Sequence, residues 1–446
     1  MSKVLVIGLD AAPPKLLYQD LVDELDILST LTLDGARYIL KSCHPPITIP
    51  AWAVMVTGKS PGELGLYGFR HRRPGDVNES YIAHSKLIKY PSIWDILGSD
   101  NKRSIIVGIP PTYPPKPVNG YLISCFITPS SKSNYTWPIN LKYQLESRFG
   151  EYIFDVVYRS EEKDKIISEL WKMTKQHFRV LKYLVNKKWD FFMFVEIGVD
   201  RVQHAFWKFF DKEHWKYEPG NKYEDVIPNY YKLIDDEVKQ LIKNVPKDTV
   251  IIIVSDHGAK AMKGAFCINQ WLIDAGYLKL KRNVDKKGVD LAEELMDWKK
   301  TIAWAWGGYY ARIFINLKGR EPHGIVNPED YNDIVEQLKE DISKIRGPNG
   351  EYWKNYAYTP DELYPVAVGD KPDLIVYLDN LSWRAAGTLG WETNYLPEND
   401  RGPDDAVHDW NGVCTIYDPE ERFTKGYKGL IDIKQVKDVI LDIIEH

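Results

Sequence analysis

VIIIVSDHG, residues 250–258, is a run of five β-branched residues followed within three positions by an acid and an imidazole. Such a run reads as a strand buried on both faces, and Gly258 marks the turn that ends it. Runs of the same kind occur at VLVIGLD (4–10), SIIVGIP (104–110), FFMFVEIG (191–198) and LIVYLD (374–379). Longer segments with helical spacing lie among them, at 161–186 and at 223–244 ahead of Pro246, and another closes the chain at 433–444. This alternation predicts an α/β fold with a mostly parallel central sheet covered by helices.

The chain has 446 residues, enough for a large core with an insertion or for two domains. Residues 277–363, with charged helical patterns and the aromatic run TIAWAWGGYYARIFINLKGREP (301–322), interrupt the core pattern. They are expected to form an inserted cap region, leaving 1–276 and 364–446 as the core. In the aromatic run, core packing is the first reading of Trp304, Trp306, Tyr309 and Tyr310, and stacking on a base the second.

Hydrophobic residues make up 44% and charged residues 27%, which excludes the disordered and fibrous classes. With 58 basic against 63 acidic residues the net charge is -5, so the broad positive field of a nucleic-acid binder is missing. A small substrate is expected, without a stable nucleic-acid complex. Cys43, Cys125, Cys267 and Cys414 are far apart and form no CxxC pair, which argues against a disulfide framework and a thiolate zinc site. MSKVLVIGLD carries no secretory pattern, and FFMFVEIGV and VIIIVS fall short of the roughly 20 apolar residues of a membrane helix. A cytoplasmic protein with no membrane association is therefore expected.

In open α/β sheets ligands bind beyond the carboxyl ends of the strands, and Asp10, Asp200 and Asp256 follow three of the strand runs. Asp256 and His257 put a carboxylate and an imidazole on one turn, a donor set that suits zinc or manganese. In EIGVDRVQHAFW (196–207), Asp200 and His204 are four apart and share one face of a helix. In HPPITIPAWAVMVTGKSPGELG (44–65), Pro50 suits the first position of a helix, which sets Thr48 just before a helix N-terminus. Backbone N–H groups there stabilise charge growing on a phosphoryl oxygen. Taken one at a time, Asp10, Asp200, Asp256 and Thr48 also serve as helix caps.

Taken in order, VIGLDAAPP, TIPAWAVMVTGKSPGELG, GVDRVQHAFW, SDHGAK and His408 resemble the motifs of the alkaline phosphatase superfamily. The resemblance runs from Asp10 to His408 and is nearest to the prokaryotic type I phosphodiesterases/nucleotide pyrophosphatases. It implies an alkaline phosphatase-like three-layer α/β/α sandwich with a smaller inserted cap, acting on phosphoric ester or pyrophosphate bonds. It also implies two divalent metal ions, zinc first and manganese second. One would be held by Asp200, His204 and His408, the other by Asp10, Thr48, Asp256 and His257. Paired ions of this kind lie about 3.5–4 Å apart, one activating the nucleophile and the other steadying the leaving oxygen. Thr48 would attack phosphorus and become a phosphothreonine that water then hydrolyses.

His408 follows LIVYLD and GTLGWETN (387–394) as the family's last metal histidine does, with His44, His71 and His323 as competitors. Where the family carries an asparagine for a non-bridging oxygen, GFRHRRPG (68–75) supplies Arg70 and His71, which are possible substrate contacts or a solvated basic loop. Ile49 stands where animal relatives place a base-stacking aromatic. Thr48 sets aside sulfatases and phosphoglycerate mutases, whereas phosphonoacetate hydrolase and a phosphomonoesterase remain alternatives. A non-catalytic, metal-stabilised binding protein is the alternative of another class. A Rossmann oxidoreductase is excluded by the missing GxGxxG glycines.

Overall fold

The computed structural model describes residues 2–73 and 79–445. The chain folds as two units, one of residues 1–64, 83–260 and 408–446, the other of residues 65–82 and 261–407.

The first unit is built on a nine-stranded sheet. Its strands are β1 (Val4–Leu9), β2 (Ala36–Lys41), β3 (Ser104–Val107), β4 (Gly120–Ile123), β5 (Thr136–Trp137), β6 (Phe191–Glu196), β7 (Val250–Val254), β8 (Asn411–Tyr417) and β9 (Gly426–Asp432). Across the sheet they are ordered β9-β2-β8-β7-β1-β6-β3-β4-β5. β7, β1, β6, β3 and β4 are mutually parallel, and only β8 and the short edge strand β5 run against their neighbours. Every residue of β1, β6 and β7 is buried. A strand covered on both faces has no polar side to show, which is why these runs lack alternation.

The covering helices are α1 (Ile27–Asp34), α2 (Thr48–Thr57), α3 (Ile93–Ser99), α4 (Lys163–Leu184), α5 (Gly198–Phe210), α6 (Val226–Ile242) and α7 (Val436–Glu445). α4, α5 and α6 pack on one another and α1 joins them through α6, while α7 packs on α2 and α3. The sheet is thus the middle of three layers. α4 and α6 fall within the segments whose spacing predicts them. The closing helix is preceded by a tight turn at Ile433–Gln435, capped by Asp432 accepting from the Lys434 N–H at 3.0 Å.

The second unit holds an antiparallel sheet in the order Ala303–Trp306, Ala311–Ile315, Leu374–Tyr377 and Tyr356–Tyr358, and a smaller one of Trp383–Ala386, Gly264–Cys267 and Tyr395–Leu396. LIVYLD therefore lies not in the parallel sheet but in this antiparallel one. A buried antiparallel strand has the same uninterrupted apolar run as a parallel one, so the pattern does not separate them. Trp304 is fully buried against Phe314, and Tyr309 and Tyr310 are buried too, so these rings form core rather than a surface. Residues 277–363 are the middle part of this unit. The segment 65–82 is fastened to it by Arg72, whose guanidinium lies over the Phe314 ring and pairs with Glu321 at 3.2 Å and Asp370 at 2.7 Å. Among the described residues no helix is long and apolar enough to cross a membrane.

Candidate active site

β1, β6 and β7 run side by side in register, Leu9 opposite Glu196 and Gly8 opposite Val254. That register makes Asp10, one residue beyond β1, level with Asp256, two beyond β7. His257 follows directly, and its Nε2 lies 3.0 Å from Asp256 Oδ2. From the end of β6 the chain turns into α5, whose first turn carries Asp200. One turn later, His204 Nε2 stands 3.2 Å from Asp200 Oδ1, and His408, just ahead of β8, brings its Nε2 to 3.6 Å from the same oxygen. Two groups of potential metal ligands result: Asp200, His204 and His408, and Asp10, Asp256 and His257, all six buried. The His257 and His408 rings stack at 3.9 Å between centroids, joining the two groups.

Thr48 Oγ1 donates to Asp10 Oδ1 at 3.3 Å and lies 3.4 Å from His257 Nε2. Helix α2 begins at Thr48 itself, two residues earlier than Pro50 suggests, after an extended Ile47. Proline is tolerated within the first turn because the N–H groups there have no partner inside the helix. Gly58 ends α2 at φ 68°, the left-handed conformation that favours glycine.

The buried acids and imidazoles shift one another in both directions. Burial, and then the charges of Asp256 and Asp200, push the Asp10 carboxyl well above the usual range. Burial would raise Asp200 as well, but His204, His408 and Arg201 outweigh it and hold that carboxyl well below the usual range. Burial would lower His257, yet Asp256 and Asp10 raise it to about 9. Burial and the neighbouring His257 lower His408 to about 3.

The donor set fits a pair of divalent cations. Asp200 Oδ1 and Asp256 Oδ2 are buried and accept no hydrogen bond among the described residues, although imidazole nitrogens approach them at 3.2 and 3.0 Å. Carboxylate oxygens and imidazole nitrogens gathered this closely are the arrangement of ligands around an ion. The outer nitrogens are occupied: His257 Nδ1 donates to the Gly258 carbonyl and His408 Nδ1 to the Pro46 carbonyl, both at 3.0 Å. Those bonds fix the tautomers and aim both Nε2 atoms inward.

Of the competing histidines, His44 packs on Trp410, His323 lies 3.4 Å from Glu293, and His71 Nε2 accepts from the Tyr67 N–H at 2.9 Å. None of the three belongs to either group. Arg70 is exposed and His71 buried, both in the second unit, on the strand Arg70–Arg72.

Sequence reasoning missed the residues that hold the ligands. Trp52 Nε1 donates to Asp10 Oδ2 at 2.7 Å, and Arg201 donates to Asp200 Oδ2 at 2.6 Å while forking onto Asp155 at 2.8 and 2.7 Å. Their spacing offered a signal, since Trp52 is one helical turn from Thr48 and Arg201 directly follows Asp200. Glu196 gave none. Its carboxylate takes the Gly198 N–H at 3.1 Å and His177 Nδ1 at 3.0 Å, and the other His177 nitrogen donates to the Ile153 carbonyl at 2.7 Å.

A sheet whose parallel strands deliver acids and imidazoles to one edge, beside a threonine at a helix start, defines a class of metal-dependent hydrolases. The chain belongs to the type I phosphodiesterase / nucleotide pyrophosphatase family, whose model matches residues 4–404. It is a hydrolase of phosphoric esters. Among solved structures it is similar in fold to murine ectonucleotide pyrophosphatase / phosphodiesterase 5, an inactive variant in complex with AMP. The identity there is 13%, the TM-score 0.57, and the match covers 100% of this chain and 95% of that one. The human ectonucleotide pyrophosphatase / phosphodiesterase 5 gives 14% and 0.57, covering 99% and 95%. No protein of curated function matches by sequence.

Proposed function

We propose that this hydrolase cleaves phosphodiester or pyrophosphate bonds of small, nucleotide-like substrates through a phosphothreonine at Thr48. The observation that carries the reading is the position of Thr48 Oγ1, 3.3 Å from Asp10 Oδ1 and 3.4 Å from His257 Nε2, at the start of α2. AMP in the similar murine structure supports a nucleotide substrate.

In this reading Asp200, His204 and His408 hold one ion, and Asp10, Asp256, His257 and Thr48 the other. Three imidazoles with three carboxylates favour zinc, with manganese second. When bound, the ions supply Lewis acidity that favours the Thr48 alkoxide and neutralises the leaving oxygen. Thr48 Oγ forms the new bond to phosphorus as the bond to the leaving group breaks and its electron pair departs with that oxygen. The N–H groups of Thr48 and Ile49, at the start of α2, favour the negative charge on the phosphoryl oxygens, whereas Pro50 has no N–H and the Ala51 N–H donates to the Ile47 carbonyl. Water then cleaves the Thr48 ester and restores the hydroxyl. We place the protein in a reducing, cytoplasmic compartment, supported by four scattered cysteines.

The test is Thr48→Ala on a panel of phosphomonoesters, diesters, dinucleotides and phosphonates, with acid quench and mass spectrometry of the wild-type protein. Phosphoryl label at Thr48 and loss of turnover in the variant are expected. Wild-type turnover by Thr48→Ala would falsify the nucleophile assignment.

A further inference from the structure

We propose that Gln203 is a positioning residue that holds Ala11 in a left-handed conformation and so aims Asp10 and Asp256 at a shared ion. The inference rests on the metal reading above and concerns residues to which that reading gives no role.

Ala11 directly follows Asp10 and has φ 57°. A residue with a Cβ adopts that region at a cost, so something must hold it there. The structure supplies two clamps, one on each backbone group. The Ala11 N–H donates to Asp256 Oδ1 at 3.2 Å, and the Ala11 carbonyl accepts from Gln203 Nε2 at 3.1 Å. The neighbouring residues are pinned as well: the Asp10 N–H donates to the Glu196 carbonyl at 3.3 Å, and Ser255 Oγ donates to the Ala12 carbonyl at 2.7 Å.

Gln203 is fully buried, and its amide must face this way round, because the flipped amide would set two oxygens against each other. It lies on α5 between Asp200 and His204. One hydrogen bond therefore ties the helix carrying one ligand group to the turn carrying the other. The bond also leaves the Ala11 N–H facing Asp256 Oδ1, so that Asp256 Oδ2 stays beside His257. Without Gln203 the peptide after Asp10 is free to turn out of the left-handed region, and the Ala11 N–H leaves Asp256 with it.

Glycine occupies the left-handed region without strain, so Ala11→Gly removes the need for the clamp. This gives a readout that a packing role for Gln203 does not share. Zinc is titrated into the metal-free full chain against a chelating dye, for wild type, Gln203→Met, Ala11→Gly and the double variant. Gln203→Met is expected to bind one of two zinc ions about tenfold more weakly, Ala11→Gly to match wild type, and the double variant to recover most of the loss. If Gln203→Met does not fold, judged by its melting curve, Gln203→Asn draws the amide back by one methylene and is read in the same way. Wild-type affinity in the Gln203 variant, or no recovery on adding Ala11→Gly, overturns the inference and leaves the metal reading standing. A wild-type chain that binds no zinc overturns both.

Discussion

Replacing Trp52 with phenylalanine removes one hydrogen bond from a buried site and changes little else that faces Asp10. Trp52 is fully buried, and its Nε1–H reaches Asp10 Oδ2 at 2.7 Å. A hydrogen bond to a charged group is worth about 1.5–3 kcal/mol, and Asp10 is fully buried. Converted at 1.4 kcal/mol per tenfold, the loss is about 10–150-fold in affinity for the ion at Asp10, close to the range seen when the outer partners of metal ligands are removed. Without that donor the Asp10 carboxyl, already raised by burial and by Asp256 and Asp200, rises further, so protons compete better with the ion. The affinity loss should accordingly be larger at pH 6 than at pH 8. The smaller ring also leaves a cavity, which lowers stability by about 1–2 kcal/mol but does not discriminate between metal and proton. Zinc competition titrations at both pH values, beside urea unfolding of the same samples, separate the two effects. A Trp52→Phe protein that binds zinc within twofold of wild type at pH 6 refutes the reasoning.

Other expectations follow from the same geometry. His177, buried between Glu196 and the Ile153 carbonyl, would be lowered by burial, but Glu196 outweighs that and raises it. A histidine raised on folding stabilises the fold fully below its unfolded value near 6.5, and the contribution fades as pH climbs through the raised value. The cost of His177→Gln, about 3 kcal/mol for stranding a buried carboxylate, should therefore shrink from pH 6 to alkaline pH in urea unfolding, and a cost that grows with pH contradicts the charge assignment. A Cβ at Gly198 would stand 1.9 Å from the Tyr230 hydroxyl and 2.9 Å from Glu196 Oε1. Gly198→Ala should thus lose about 1–3 kcal/mol despite its better helix propensity, and a raised melting temperature would show that α5 has room to move. Chelation should abolish hydrolysis and lower the melting temperature, with recovery on adding zinc, because an ion bound only to the folded state stabilises it by mass action. Unchanged melting with and without chelator would place no ion in the site.

Much of this molecule is legible in the sequence because burial on both faces leaves an uninterrupted mark. VLVIGLD, FFMFVEIG and VIIIVSD are the neighbouring strands β1, β6 and β7, and the acids that follow them end where strand-end logic puts them. LIVYLD carries the same mark, yet pairs antiparallel in the second unit, since an apolar run records burial and not direction. The extent of that unit is not written in composition. Segment 65–82 joins residues 261–407 through contacts such as Arg72 with Glu321 and Asp370, which connect positions remote in sequence. The ligands could be picked out by type and spacing, whereas Gln203, Arg201, Glu196 and His177 act through partners on other segments, Ala11, Asp155 and Ile153 among them. No periodicity records which glutamine reaches which carbonyl.

Adjacent β-strands are separated by about 4.8 Å, a distance fixed by backbone hydrogen bonding and indifferent to side-chain identity. Because Asp10 and Asp256 leave neighbouring strands at one level, the gauge of this centre is inherited from the peptide group itself. Mutation can exchange the donors, but it has little grip on the span between them. Descendants of such a chain can therefore change metals and substrates readily, while a single-residue deletion inside β1 or β7 would turn the acid to the opposite side and erase the centre in one step.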